Sequence, residues 1–405
     1  MARGGKTLGI DPARMDRVGR YLDERYVRPG LLAGTQMTVL RRGEVVHAST
    51  LGYADEERGR KLDEDAIFRI YSMTKPITSI AFMMLVEEGL VALDDPVHRF
   101  IPSWKDLKVY ERGELGSFKT RNAAAAMRIV DLLRHTSGLT YDFQEANGVD
   151  AAYRELKLLR SGSLDAFVET LSRLPLVFSP GESWNYSVAT DVLGYLIGKI
   201  SGQPFEAFLK DRIFGPLGMV DTDFFVAPEK AHRLTACYQL DQAGKRVLQD
   251  DPQQSPFLQP PALCGGGGGL VSTSADYLRF CRMLLGRGAL DSVRLIGPKT
   301  LDLMTVNHIP GGRDLTQASV SLFSEATYSG IGFGLGFAVT ENAAKTMIPG
   351  SDGEYFWGGM ASTSFWVDPT EDLAAVFMTQ FIPSSTYPVR RQLRTLVYSA
   401  LTETA

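Results

Sequence analysis

Cysteine is scarce: only Cys237, Cys264 and Cys281 occur in 405 residues. An odd number without CxxC spacing argues against a disulfide framework or a thiolate zinc site and leaves buried free thiols. The five histidines, at 47, 98, 135, 232 and 308, lack metal-ligand spacing as well. No charge of one sign dominates. With 43 basic and 47 acidic residues the net charge is −4, which gives neither nucleic acid nor an anionic membrane a reason to bind. The basic pairs Arg41-Arg42 and Arg390-Arg391 read as solvated surface. No segment approaches the roughly eighteen uninterrupted apolar residues of a membrane helix. The N-terminus, MARGGKTLGIDPARMDRVGRYL, lacks the apolar stretch of a secretory leader. These absences predict a soluble cytoplasmic protein that takes no metal and no cofactor.

Familiar catalytic signatures are missing too. No Gly-x-Ser-x-Gly occurs, so the elbow of the α/β-hydrolases is excluded. The glycine run at 265–269 is not followed by Gly-Lys-Ser/Thr. It predicts a turn into a helix capped by Ser272 or Ser274 rather than a phosphate loop. Asp94-Asp95 precede a proline and read as a turn, not as a glycosidase carboxylate pair.

What is present is strand-rich at both ends. Asp11 and Pro12 open a helix in which Met15, Val18 and Leu22 recur at helical spacing. Residues 35–55 read as two strands around Gly43, and 66–72 as a third extended piece. Residues 332–340 and 361–380, with a turn at Asp368-Pro369, give further strands before a final helix. Between them, helices are predicted over 76–90, 128–135, 164–174, 189–201, 204–213, 274–286 and 298–307. The pattern predicts an α/β fold of the α+β type. An antiparallel sheet built from both termini is flanked by helices and carries an inserted, mainly helical region. One unit spans 11–400, with 1–75 and 330–405 forming the sheet-plus-helix part and 76–329 the insertion.

Ser72-Met73-Thr74-Lys75 is the one Ser-x-x-Lys in the chain. Ile77, Ile80, Ala81, Met84 and Leu85 follow at helical spacing, so an amphipathic buried helix starts near Met73. Ser72 then lies at its N-terminus, where free N–H groups and the dipole favour developing negative charge. Lys75 lies one turn on, on the same face, and accepts a seryl proton only if its pKa is lowered. The plain alternative is a capping serine beside a surface lysine. A second proton carrier is sought among four Tyr-Ser dipeptides, at Tyr71, Tyr186, Tyr328 and Tyr398. Tyr71, if extended, points away from Ser72, and Tyr398 lies in the final helix. Tyr186 follows a Pro-Gly turn and precedes a helix, a fixed place from which to reach a cleft; Tyr328, in a polar loop, remains a rival.

Five segments occur in the order YSMTKP, LLRHTSGLTY (132–141), FSPGESWNYS (178–187), GGGLVSTSADYLRF (267–280) and WGGMASTSFWVDP (357–369). Together they make the chain resemble serine hydrolases of the β-lactamase/penicillin-binding superfamily, most of all the class C β-lactamase-like esterases called family VIII carboxylesterases. The resemblance implies Ser72 as nucleophile, Lys75 as its proton partner and Tyr186 as general base. It implies an oxyanion hole from the backbone N–H groups of Ser72 and Met360, and a small-molecule ester as substrate. Ionising a free tyrosine at pH 7 costs about 4 kcal/mol, which a neighbouring lysine ammonium is expected to offset. His135 is expected to make a structural hydrogen bond.

Two departures shape the expected substrate. Trp357-Gly358-Gly359 stands where β-lactamases and peptidases of the superfamily place Lys-Thr/Ser-Gly, and Val188 stands where class C has the asparagine of Tyr-x-Asn. Both favour neutral, apolar acyl esters over anionic β-lactams. The long polar stretch 311–330 is expected to border the cleft. With Phe323 and Tyr328 from it, and with Tyr141, Phe143 and Phe356, it predicts an acyl pocket of short reach next to Trp357. Acyl transfer, weak β-lactam opening and a non-catalytic recognition domain stay open beside ester hydrolysis.

Overall fold

The computed structural model describes residues 8–160, 162–320 and 328–404. Its centre is an eight-stranded sheet. From edge to edge the strands are Ile331–Phe333, Ala338–Thr340, Tyr355–Gly358, Ser364–Asp368, Leu373–Met378, Gly34–Arg41, Glu44–Asp55 and Arg60–Lys61. Every neighbouring pair is antiparallel. The two ends of the chain meet in its middle, where Gln36 pairs with Met378 and Arg41 with Leu373.

Side-chain alternation gives this sheet two cores. Along Leu373–Met378, Ala374, Val376 and Met378 join Tyr277, Phe280 and Cys281 of the helix Ser274–Leu285. Leu373, Ala375 and Phe377 join Val18, Leu22 and residues of the final helix Val389–Ser399. Successive strand residues face opposite sides, so a strand covered on both has to be apolar throughout, and this one is fully buried. Asp11 caps the first helix as expected, accepting from the Arg14 N–H.

The region between the sheet halves holds the expected helices, among them Thr74–Glu87, Ala189–Ser201 and Ser274–Leu285. It also contains antiparallel pairs that periodicity did not suggest, Lys108–Arg112 with Lys119–Asn122 and Cys237–Leu240 with Arg246–Asp250. The stretch 66–72 contributes only Phe68–Arg69, paired with Val271–Ser272 outside the main sheet. The helix after it is capped by Thr273, not by Ser272 or Ser274. Ser272 is still in the strand, with its hydroxyl against Thr222 Oγ1 at 2.8 Å, and Ser274 is already helical.

The helix following Ser72 is no amphipathic stripe. Every residue from Thr74 to Leu85 is buried, with Ala189–Ser201 packed along the helix. Among its polar members, Thr78 Oγ1 donates to Gly266 O at 2.8 Å, whereas the buried Ser79 Oγ has no hydrogen-bond partner among the described residues. Nor are the basic pairs all surface. Arg41 is fully buried, donating to Gly9 O at 2.6 Å and to Glu371 at 3.0 Å. In the stretch 311–330 the structure shows a short helix, Leu315–Ala318, capped by Asp314; Phe323 lies outside the described residues. No helix among the described residues is long and apolar enough to cross a membrane.

Candidate active site

Ser72 sits in a single 3₁₀ turn, Tyr71–Met73, that runs directly into the buried helix. The turn is tied to the segment after the glycine run: Ile70 N donates to Leu270 O at 3.1 Å and Leu270 N to Thr74 Oγ1 at 3.2 Å. Tyr71 has φ of 42°, a left-handed backbone that a bulky residue keeps only where its surroundings over-determine it. It is therefore not extended, and it lines the same cleft as Ser72 instead of pointing away.

Lys75 Nζ donates to Ser72 Oγ at 3.3 Å, to Tyr141 Oη at 2.9 Å and to Gly267 O at 2.6 Å. It also lies 4.4 Å from the centre of the Tyr186 ring. Tyr186 Oη is hydrogen-bonded to Ser72 and accepts from Trp357 Nε1 at 3.3 Å. Ser72, half-buried, thus forms one cluster with the buried Lys75 and Tyr186. Tyr141, expected as a pocket wall, is also a direct partner of the lysine.

Loss of water dominates the electrostatics. Burial draws the Lys75 ammonium down to about 7, with the Asp191 carboxylate opposing it. Burial pushes the Tyr186 phenol well up, and the bonds with Ser72 and Trp357 offset this only in part. The expectation that lysine would ease Tyr186 toward tyrosinate therefore gives way. Tyr186 rests as the phenol, and Lys75 is the group that titrates near neutrality. Burial also raises Tyr141. His135 is held neutral by burial and then by the charge of Lys75, and its Nδ1 meets Ser187 Oγ at 3.1 Å, the structural bond expected of it.

The opposite wall comes from the strand Tyr355–Gly358, registered by Trp357 opposite Phe365. Gly358 at its end and Gly359 just after it allow close approach. A Cβ on Gly359 would stand 2.4 Å from Ile70 O, and one on Gly358 would stand 2.7 Å from the Arg390 guanidinium. That guanidinium donates to Gly359 O at 2.6 Å and Thr363 O at 2.8 Å, so Arg390 braces the turn that carries Met360. The strand edge is thereby brought against the Ser72 turn. Both Ser72 and Met360 line the cleft, as do Tyr141, Tyr328, Gly358 and Gly359.

The cleft measures about 730 Å3, in the range that takes drug-sized ligands and more than a short acyl pocket requires. Phe143 and Phe356 line it as expected. Residues that the sequence reading missed are Asp191, Gly267 and Arg390. The one signal for Asp191 was an acidic residue opening an apolar helix just behind Tyr186.

The family model described as "Beta-lactamase" matches residues 18–398. The chain is 37% identical over 357 residues to Protein Rv1367c of Mycobacterium tuberculosis, spanning 87% of each. It is 31% identical over 410 residues to Esterase EstB of Burkholderia gladioli, spanning 96% of this chain and 95% of that one. Among solved structures it is similar to "EstCE1, a hydrolase with promiscuous acyltransferase activity", with a TM-score of 0.79 at 26% identity, covering 96% and 99% of the two chains. It is also similar to simvastatin synthase from Aspergillus terreus, with a TM-score of 0.78 at 25% identity, covering 96% and 98%. With its sheet, its Ser72–Lys75 turn and a match along nearly its whole length, this chain belongs to the β-lactamase family.

Proposed function

We propose that this protein is a serine carboxylesterase that cleaves small-molecule esters through an acyl-enzyme on Ser72. The observation that carries the reading is the contact set in which Ser72 Oγ meets both Lys75 Nζ at 3.3 Å and the Tyr186 hydroxyl at the edge of the cleft. The ester carbonyl lies against the N–H groups of Ser72 and Met360, which stabilise the developing oxyanion. Ser72 Oγ bonds to the carbonyl carbon as its proton passes into the Lys75–Tyr186 unit, which titrates as one. Collapse breaks the bond to the alkoxy oxygen, and Tyr186 returns the proton to the departing alcohol. Water then attacks the acyl carbon by the same route.

The division of the unit 11–400 into 1–75 with 330–405 and an inserted 76–329 goes with this reading, the cleft lying along the seam. Three free thiols support action in a reducing cytoplasm. Acyl transfer to a second alcohol is the alternative that one observation favours. The chain is 30% identical over 246 residues, 60% of its length, to monacolin J acid methylbutanoyltransferase of Aspergillus terreus. Intact-mass analysis with a panel of p-nitrophenyl esters and nitrocefin tests the reading. An acyl adduct that forms and turns over is expected with esters; an unmodified chain throughout would sink it.

Trp357 offers a separate test of substrate choice. Its indole is 6% exposed and packs on the Tyr186 ring at 5.4 Å. Trp357→Ala opens room beside the acyl group, and each further buried methylene adds ~0.8 kcal/mol. The acyl-length optimum should move toward longer chains in a p-nitrophenyl ester series. Trp357→Phe keeps the bulk but deletes the N–H that reaches Tyr186, and should lower kcat about five-fold, the worth of a ~1 kcal/mol hydrogen bond. An unchanged chain-length profile in Trp357→Ala, with all esters equally weakened, would reduce Trp357 to packing.

A further inference from the structure

Asp191 has no part in the scheme above, yet it lies inside the site. It occupies the first turn of Ala189–Ser201, is 2% exposed and lines the cleft. Its Oδ1 accepts the Gly267 N–H at 2.9 Å, whereas its buried Oδ2 has no hydrogen-bond partner among the described residues. A buried carboxylate oxygen with no donor is costly unless a nearby cation compensates it. Lys75 in its protonated form is that cation, and its Nζ donates to the carbonyl of the same Gly267 at 2.6 Å. Gly267 thus holds the carboxylate by its N–H and the ammonium by its C=O.

Only glycine fits there. A Cβ at position 267 would stand 2.4 Å from Asp191 Oδ2 and 2.8 Å from Tyr141 Oη. The glycine run, which the sequence explained only as a turn, therefore has a second use: its bare backbone lets a carboxylate and an amine be fixed on one residue. Three other titratable groups face Lys75. Tyr141 comes from the segment after Leu139, Tyr186 from the turn before Ala189–Ser201, and His135 from the end of Ile129–Leu133. Burial holds all three neutral. Asp142, next along, acts on Tyr141.

We propose that Asp191 is a positioning residue for the Ser72–Lys75–Tyr186 unit, whose carboxylate, fixed by Gly267, supplies the counter-charge for the ammonium formed when Lys75 takes the seryl proton. The inference rests on the acyl-enzyme reading. During attack the Ser72 O–H bond breaks, the proton goes to the lone pair of neutral Lys75, and the oxygen's electrons form the bond to the acyl carbon. In a water-poor site a lone ammonium is expensive, and a carboxylate already in place lowers its cost without reorganisation.

The test is Asp191→Asn in the full chain, which keeps the side chain's size and an oxygen for the Gly267 N–H. Hydrolysis of p-nitrophenyl butyrate across pH should show kcat lowered about ten-fold or more, KM little changed, and the acid limb of kcat moved down by about one pH unit. The carboxylate favours protonated Lys75 and also opposes ionisation of Tyr186. Removing it lowers both, so the limb falls whichever member of the coupled unit it reports. A purely structural residue would lower the rate without moving the limb. Asp191→Ser, uncharged and smaller, should move it the same way and serves if the asparagine variant does not fold. A limb that stays or rises in a folded variant overturns the inference, as does failure of both variants to fold, which would assign Asp191 to the fold. Ser72→Ala run alongside separates the layers. If it is inactive, an unmoved limb sinks the role of Asp191 alone; if it is active, the acyl-enzyme reading itself falls.

Discussion

Ser72→Ala is expected to abolish acylation and leave the fold intact. In the proposed mechanism the Ser72 hydroxyl bonds to the acyl carbon while Lys75 and Tyr186 only carry its proton, so its removal should stop the step. The structural cost is small because Lys75 keeps Tyr141 Oη and Gly267 O as acceptors, and the serine caps no helix by its side chain. Loss of one such hydrogen bond costs ~1 kcal/mol. Intact mass should show no adduct with p-nitrophenyl esters, and the melting curve should stay close to that of the parent. Near-normal ester turnover by the variant would remove Ser72 from the chemistry.

Tyr186→Phe should lower kcat by about 10²-fold or more, because the ring remains and only the proton carrier is lost. It also leaves the buried Trp357 N–H without its acceptor, which should destabilise the fold by about 1–3 kcal/mol. Tyr328→Phe is the paired control. Tyr328 lines the cleft and lies close enough to raise Tyr186 by its charge, whereas Lys75 Nζ bonds to Ser72, Tyr141 and Gly267. The control should change kcat little. Steady-state rates on one short-chain ester decide between them, and the reverse ranking would move the general base to Tyr328.

Local rules went far with this chain. The strand-like runs at 35–55 and 361–380 and the turns at Gly43 and Asp368-Pro369 predicted antiparallel strands at both ends. The periodicity of 189–201 marked the helix Ala189–Ser201. The spacing of Ser72 and Lys75 predicted a shared face one helical turn apart, and the two side chains meet at 3.3 Å. Such features are legible because they depend on neighbours three or four positions away. Short pairings such as Phe68–Arg69 with Val271–Ser272 have no local signal, since each partner lies some two hundred residues from the other.

The same limit divides the candidate site. Ser72, Lys75, Tyr186 and Trp357-Gly358-Gly359 stood out as motifs in the sequence, and the structure gathers them around one cleft. The sequence alone could not say that Tyr141 bonds to Lys75, that Arg390 braces the turn before Met360, or that Asp191 and Lys75 share Gly267. Nor could it give the direction of the Tyr186 shift. A lysine nearby and the loss of water push that pKa opposite ways, and only the depth of burial decides which wins. Residue identity and short-range spacing determined the strands, helices and reactive groups of this protein. Contacts across hundreds of residues, which fix burial, register and who accepts whose proton, were left to the tertiary structure.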